Sequence, residues 1–187
     1  MLNRTILWRG IQWHGHEACR VYSFETEWRL EGTAVFVDEG RVCRLSYLIA
    51  CDSSWNTLNG VVTGWADTEI VNIQIVADAD RRWQMNGLAV AEVDGCIDLD
   101  LNFSPSTNLL PIRRLNLGIG EQAEVKAAWL KFPSFELETL TQIYTRLNER
   151  RYRYTSHDGD FVAEIKVDDV GFATVYSDLW EAEQLNE

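Results

Sequence analysis

Basic residues are the first scarcity in this sequence. Seventeen Lys and Arg stand against 29 Asp and Glu, a formal net charge of −12. The longest basic cluster, Arg150, Arg151 and Arg153, is interleaved with tyrosines. Nucleic-acid binding takes most of its affinity from neutralising phosphates, so this balance excludes a nucleic-acid partner. It also argues against adsorption to an anionic membrane surface. Long apolar runs are missing as well. No stretch approaches the ~18 residues of a transmembrane segment, and Met1 to Gly10 holds no apolar run of signal-peptide length. The expected location is therefore cytoplasmic.

Metal-binding spacing is also absent. The four cysteines, Cys19, Cys43, Cys51 and Cys96, form no CxxC pair, and none of the three histidines stands at ligand spacing from them. A structural zinc site needs four converging ligands, so the cysteines read as reduced core residues. His14-Gly15-His16-Glu17 offers metal-ligating groups without a recognisable third ligand, and reads as a solvated turn. Neither metal nor cofactor is expected. Helical periodicity and proline are scarce too, with three prolines in 187 residues.

What the chain has is aromatic residues and alternation. Eight Trp, six Tyr and seven Phe fit pleated, half-buried surfaces. Cys43, Leu45, Tyr47, Ile49 and Cys51 share one face of a strand, and Val71, Ile73, Ile75 and Ala77 share another. Ile97, Leu99, Leu101 and Phe103 oppose Asp98 and Asp100. Further alternation places Val125, Ala127 and Trp129, the Tyr152–Tyr154 strand, Phe161, Ala163 and Ile165, and Phe172, Thr174 and Tyr176. Asp38-Glu39-Gly40, Asn86-Gly87, Asp94-Gly95, Asp158-Gly159 and Asp168 to Gly171 supply turn chemistry between these runs. The pattern predicts a mainly β protein in one domain, 1–187, built as a sandwich, barrel or roll with few short helices. Ser134 to Asn148 reads either as a helix capped by Ser134 or as a strand, its second half leaning towards strand. Pro105 and Pro111 predict an irregular start to Ser104–Leu115, with no continuous helix or ladder across it.

No residue pattern identifies a catalytic reaction. Asp98 and Asp100 project about 6.5–7 Å apart on one strand face, a spacing open to acid–base work on a sugar but equally to a solvated face or to pairing with Arg113 or Arg114. Those two arginines must diverge, so one is expected to be structural and the other to face a groove beside Asn108. Tyr47, Trp55, Trp83, Tyr144 and Tyr154 belong to a set of rings large enough to fill a core and also to line a cleft.

Trp28-Arg29-Leu30-Glu31-Gly32, Tyr47 with Trp55, and Trp83 to Gly87 form part of a wider pattern. It continues through Asp98-Leu99-Asp100-Leu101, Ser104-Pro105-Ser106-Thr107-Asn108, Leu110 to Leu115, Tyr152-Arg153-Tyr154, Val167-Asp168 and Gly171. Together these segments resemble the bacterial family named "putative glycolipid-binding" proteins, from about Trp28 to Trp180. The resemblance implies a curved antiparallel sheet forming a roll or half-barrel, and a lipid- or glycolipid-like small-molecule partner. The expectation is a non-enzymatic apolar groove lined by Tyr47, Trp55, Trp83, Tyr144 and Tyr154. Asn108, Arg113, Arg114, Asp98 and Asp100 would meet the polar head. The alternatives are a small enzyme using Asp98 or Asp100 on a sugar or acyl substrate, and a structural interaction module.

Overall fold

Period-two alternation continues through nearly the whole chain, and the computed structural model, which describes residues 2–183, is built on it. The first eight strands are β1 (Asn3–Gly10), β2 (Gly15–Phe24), β3 (Glu27–Asp38), β4 (Arg41–Cys51), β5 (Thr57–Ala66), β6 (Glu69–Ala77), β7 (Trp83–Met85) and β8 (Leu88–Ala89). After β9 (Asp98–Leu101) comes a single helix, α1 (Leu109–Leu115). The chain then returns as β10 (Gln122–Lys131), β11 (Glu136–Asn148), β12 (Arg151–Ser156), β13 (Phe161–Val167), β14 (Ala173–Tyr176) and β15 (Trp180–Ala182). All fifteen strands join one unclosed sheet. Two meanders meet where β1 pairs with β15, and every neighbouring pair is antiparallel except β9–β10. At 62% strand and one α-helix among the described residues, the protein is mainly β, as the alternation predicts.

The sheet curls until its β9 edge reaches the other half. Leu99 and Leu101 are fully buried in the larger core, with Leu45, Ile49, Ile75 and Trp83. Gly60 on β5 makes room for them: a Cβ there would stand 2.4 Å from Leu99 Cδ2. Backbone and side-chain hydrogen bonds stitch this seam. Thr57 N–H donates to the Ile97 carbonyl at 3.2 Å, and Leu99 N–H donates to Thr57 Oγ1 at 3.0 Å. Arg81 adds three donations, to the carbonyls of Cys96, Thr57 and Ile97 at 2.7–3.0 Å. The seam therefore holds by one backbone bond and several side-chain bridges in place of a strand ladder.

Rolling also gives β9, β10 and β11 two useful faces. Ala128, Leu130 and Leu137 join the larger core with Leu99, while Val125 and Tyr144 belong to a second core with Ile112, Tyr152, Tyr154 and Ile165. Asp98 and Asp100 point to this second side, onto which α1 folds.

One local alternative is settled and two expectations need correction. β11 is strand throughout, because Thr139, Thr141, Ile143 and Thr145 are β-branched and the segment pairs with β10 on one side and β12 on the other. Ser134 caps no helix; its hydroxyl accepts from Glu136 N–H in a turn. The two prolines do not exclude helix either. Pro105 precedes a short 3-10 turn and Pro111 lies in the first turn of α1, where a missing N–H costs no hydrogen bond. Finally, His14 to Glu17 is not a solvated turn. β2 begins at Gly15, and its alternation sends Glu17 into the core with Cys19 and Val21 while His16 stays exposed. All four cysteines are buried and free.

Candidate functional site

A cleft of about 410 Å³ opens between the two halves of the sheet. That size suits a small organic ligand. One wall is Phe36, Phe103 and Phe132, with ring centroids 5.3–6.5 Å apart. The facing wall is Tyr154, Phe161 and Tyr176, packed edge to face at 5.9–6.4 Å. Trp129, Trp13 and Trp180 add indole surface, the last two in edge contact at 5.0 Å. Such interlocked rings fix one another's orientation and leave a rigid apolar surface.

The polar groups gather at Asp100, Asn102, Ser104, Asn108, Ser156 and His157. Asp100 Oδ2 accepts from Gln142 Nε2 at 2.5 Å. Burial pushes its carboxyl up to about 6, against the opposing pull of the Gln142 hydrogen bond. Asn108 is held by two bonds: its Oδ1 accepts from Tyr144 Oη at 2.8 Å, and its Nδ2 donates to the Pro105 carbonyl at 3.1 Å.

Beneath Ser104 lies a second, dry network. Ser104 Oγ and Tyr47 Oη both donate to Glu17 Oε1, at 2.6 and 2.5 Å, and Tyr47 and Ser104 each also reach Ser106 Oγ at 2.7 Å. Glu17 is fully buried, and its Oε2 has no partner. Burial pushes this carboxyl up to about 8, so it is mostly protonated at neutral pH.

Of the ten residues expected at a site, Asp100, Asn108 and Tyr154 line the cleft. Tyr144 stands behind Asn108 and orients it. Asp98, 1% exposed, is held by Arg114 through Nε at 3.1 Å and Nη2 at 2.5 Å. Arg113 diverges from its neighbour: its guanidinium lies 5.2 Å from the Trp55 ring centroid and reaches the Val170 carbonyl. It borders a second, polar pocket with Arg146, Arg150 and Asp168. Tyr47 belongs to the Glu17 network, Trp55 stacks on Trp28 at 4.8 Å, and Trp83 Nε1 donates to the Cys96 carbonyl. Tyr47 thus lies behind Ser104 and Phe103 without lining the cleft, and Trp55 and Trp83 are core groups away from it.

Sequence reasoning missed most of the aromatic wall. Phe36, Phe132, Phe161 and Trp180 come from four separate segments, and nothing in their local spacing announces convergence. Phe161 did carry a signal, since it shares the alternation of Ala163 and Ile165, and Trp129 that of Ala127.

A curved, unclosed antiparallel sheet with a cleft between its halves defines a barrel-like β protein. The chain belongs to the family described as "Putative glycolipid-binding", which it matches over residues 5–182. It is similar to a DUF1089 family protein of Pseudomonas aeruginosa, at 32% identity over 89% of this chain and 91% of that one, with a TM-score of 0.80. A beta-barrel-like protein of the domain of unknown function DUF1849 from Brucella abortus shares the fold alone: 9% identity, TM-score 0.55, covering 97% and 95% of the two chains. No curated protein matches the chain.

Proposed function

We propose that the protein binds a lipid- or glycolipid-like amphiphile in the aromatic cleft and performs no chemistry on it. The observation that carries this reading is the cleft itself: about 410 Å³ walled by interlocked rings, with Asp100, Asn108 and Ser104 grouped among its polar atoms. An acyl chain against those rings gains about 25 cal/mol per Å² of apolar surface removed from water. The family description fits the same reading. Catalysis by a carboxylate pair fits less well, because Asp98 is tied to Arg114 and does not line the cleft.

Calorimetric titration with n-alkyl glucosides of rising chain length tests the proposal. Affinity should increase by about 0.8 kcal/mol per methylene until the cleft is filled and then level off. Affinity independent of chain length would contradict it.

A further inference from the structure

The polar groups of the cleft have a one-sided charge. Asp38 and Asp100 line it, His157 lines it with its Nδ1 3.0 Å from Ser156 Oγ, and no arginine or lysine does so among the described residues. The neighbouring cations are each already paired; the Arg41–Asp38 pair sits at the cleft itself, and the Lys131 ammonium lies 5.8 Å from the Trp129 ring centroid. Arg114 is spent on Asp98, Arg41 on Asp38 at 2.6 Å, Arg81 on three seam carbonyls, and Lys131 on Glu138 at 3.3 Å. Arg113 lies against Trp55 and the second pocket. Asp100 therefore faces the cleft as an acceptor whose hydrogen-bond partner is a neutral amide, Gln142. The whole chain adds a field of the same sign, at −12.

We propose that the cleft selects a head group that donates hydrogen bonds and carries no negative charge, hydroxyls or an ammonium, and rejects phosphate, sulfate and carboxylate heads. This rests on the amphiphile reading above. An anion entering here loses its water and meets a carboxylate with no counter-charge between them, and like charges brought together at an interface are strongly disfavoured. A hydroxyl or ammonium instead meets an acceptor that burial has already stripped of much of its water, where a charge-assisted hydrogen bond is stronger than a neutral one. Asn108 contributes an amide fixed by Tyr144 and Pro105, with one N–H left for a ligand oxygen. Ser156 adds a hydroxyl 3.0 Å from His157 Nδ1, whereas that of Ser104 is committed to Glu17 and Ser106. These are the groups that read a polyol; none of them neutralises an anion.

Three probes sharing one chain isolate the head: octyl glucoside, octylammonium and octyl sulfate, each below its micelle concentration, at pH 7.5 in about 0.15 M salt to screen long-range attraction. Tryptophan fluorescence reports binding, since Trp13, Trp129 and Trp180 line the cleft. Glucoside and ammonium should each bind at least about tenfold more tightly than sulfate. Asp100→Asn should narrow the gap, tightening sulfate and weakening ammonium, whereas Asp38→Asn should leave the order unchanged. The parent protein alone decides the claim if Asp100→Asn folds poorly. Sulfate binding as tightly as glucoside would overturn the head-group assignment while leaving an amphiphile site in place. Closure of the gap by Asp38→Asn rather than Asp100→Asn would overturn it too. Failure of all three probes to bind would bring down the amphiphile reading, and this inference with it.

Discussion

Arg114 and Arg113 are adjacent in sequence and opposite in consequence. Arg114→Ala leaves the buried Asp98 carboxylate without its bidentate partner, and should cost about 3–5 kcal/mol. Arg113 is exposed, so Arg113→Ala should stay within about 0.5 kcal/mol of the parent. Urea unfolding of the two variants checks this; equal losses would contradict it. The divergence was legible in the sequence, because neighbouring side chains on any regular backbone point apart. Glu17 was not legible as a core group. A carboxyl in a core is rare, and its acceptance there depends on Tyr47, Ser104 and Ser106 arriving from distant segments. Its pH signature follows from the direction of the shift. Glu17 rises from 4.5 to about 8 and Asp100 from 3.8 to about 6, so the native protein holds protons that the unfolded chain has released. Their contribution is fully present below about pH 4, and is lost as pH rises through about 6 for Asp100 and about 8 for Glu17. The urea midpoint should therefore fall from about pH 5 to 8.5, and Glu17→Gln should flatten the upper part of that fall. An unchanged slope in the Glu17→Gln variant would contradict the assignment.

At the scale of elements, the seam between β5 and β9 is the least conventional joint in the sheet. Arg81→Lys replaces a fork that reaches three carbonyls with a single ammonium. Hydrogen exchange at the Thr57 and Leu99 amides should then accelerate, while β2–β3 amides keep their protection. Acceleration throughout the sheet would show instead that Arg81 supports global stability. Leu99→Ala tests the same joint through packing, with an expected loss of about 2–5 kcal/mol. Strand identity was readable wherever one face is buried, as in β4 and β6, since alternation is then strict. It blurred in β11, where the roll buries both faces in turn: Leu137 on one side, Leu140, Gln142 and Tyr144 on the other. Two-sided burial breaks the period-two pattern, and a helix with apolar residues three and four apart then fits equally well.

For the molecule as a whole, the local pattern predicted the mainly β class and the family resemblance its curvature, but neither told how far the sheet curls. Curvature is set by contacts such as Gly60 against Leu99 and by the Arg81 bridges, which join residues tens of positions apart. The cleft is a product of that curl, which is why three of ten expected residues line it while its rings come from segments with no shared motif. The proposed kind of ligand rests on the family description, and its proposed place rests on the geometry of the cleft. Eight tryptophans make the location directly readable. Trp13, Trp129 and Trp180 line the cleft, whereas Trp8, Trp28, Trp55, Trp65 and Trp83 do not. Titration of the isotope-labelled protein with octyl glucoside, followed through the eight indole N–H resonances by NMR, should shift the first three saturably and leave the other five in place. Shifts at Trp28 and Trp55 without Trp129 and Trp180, or no saturable shift at all, would contradict binding in this cleft.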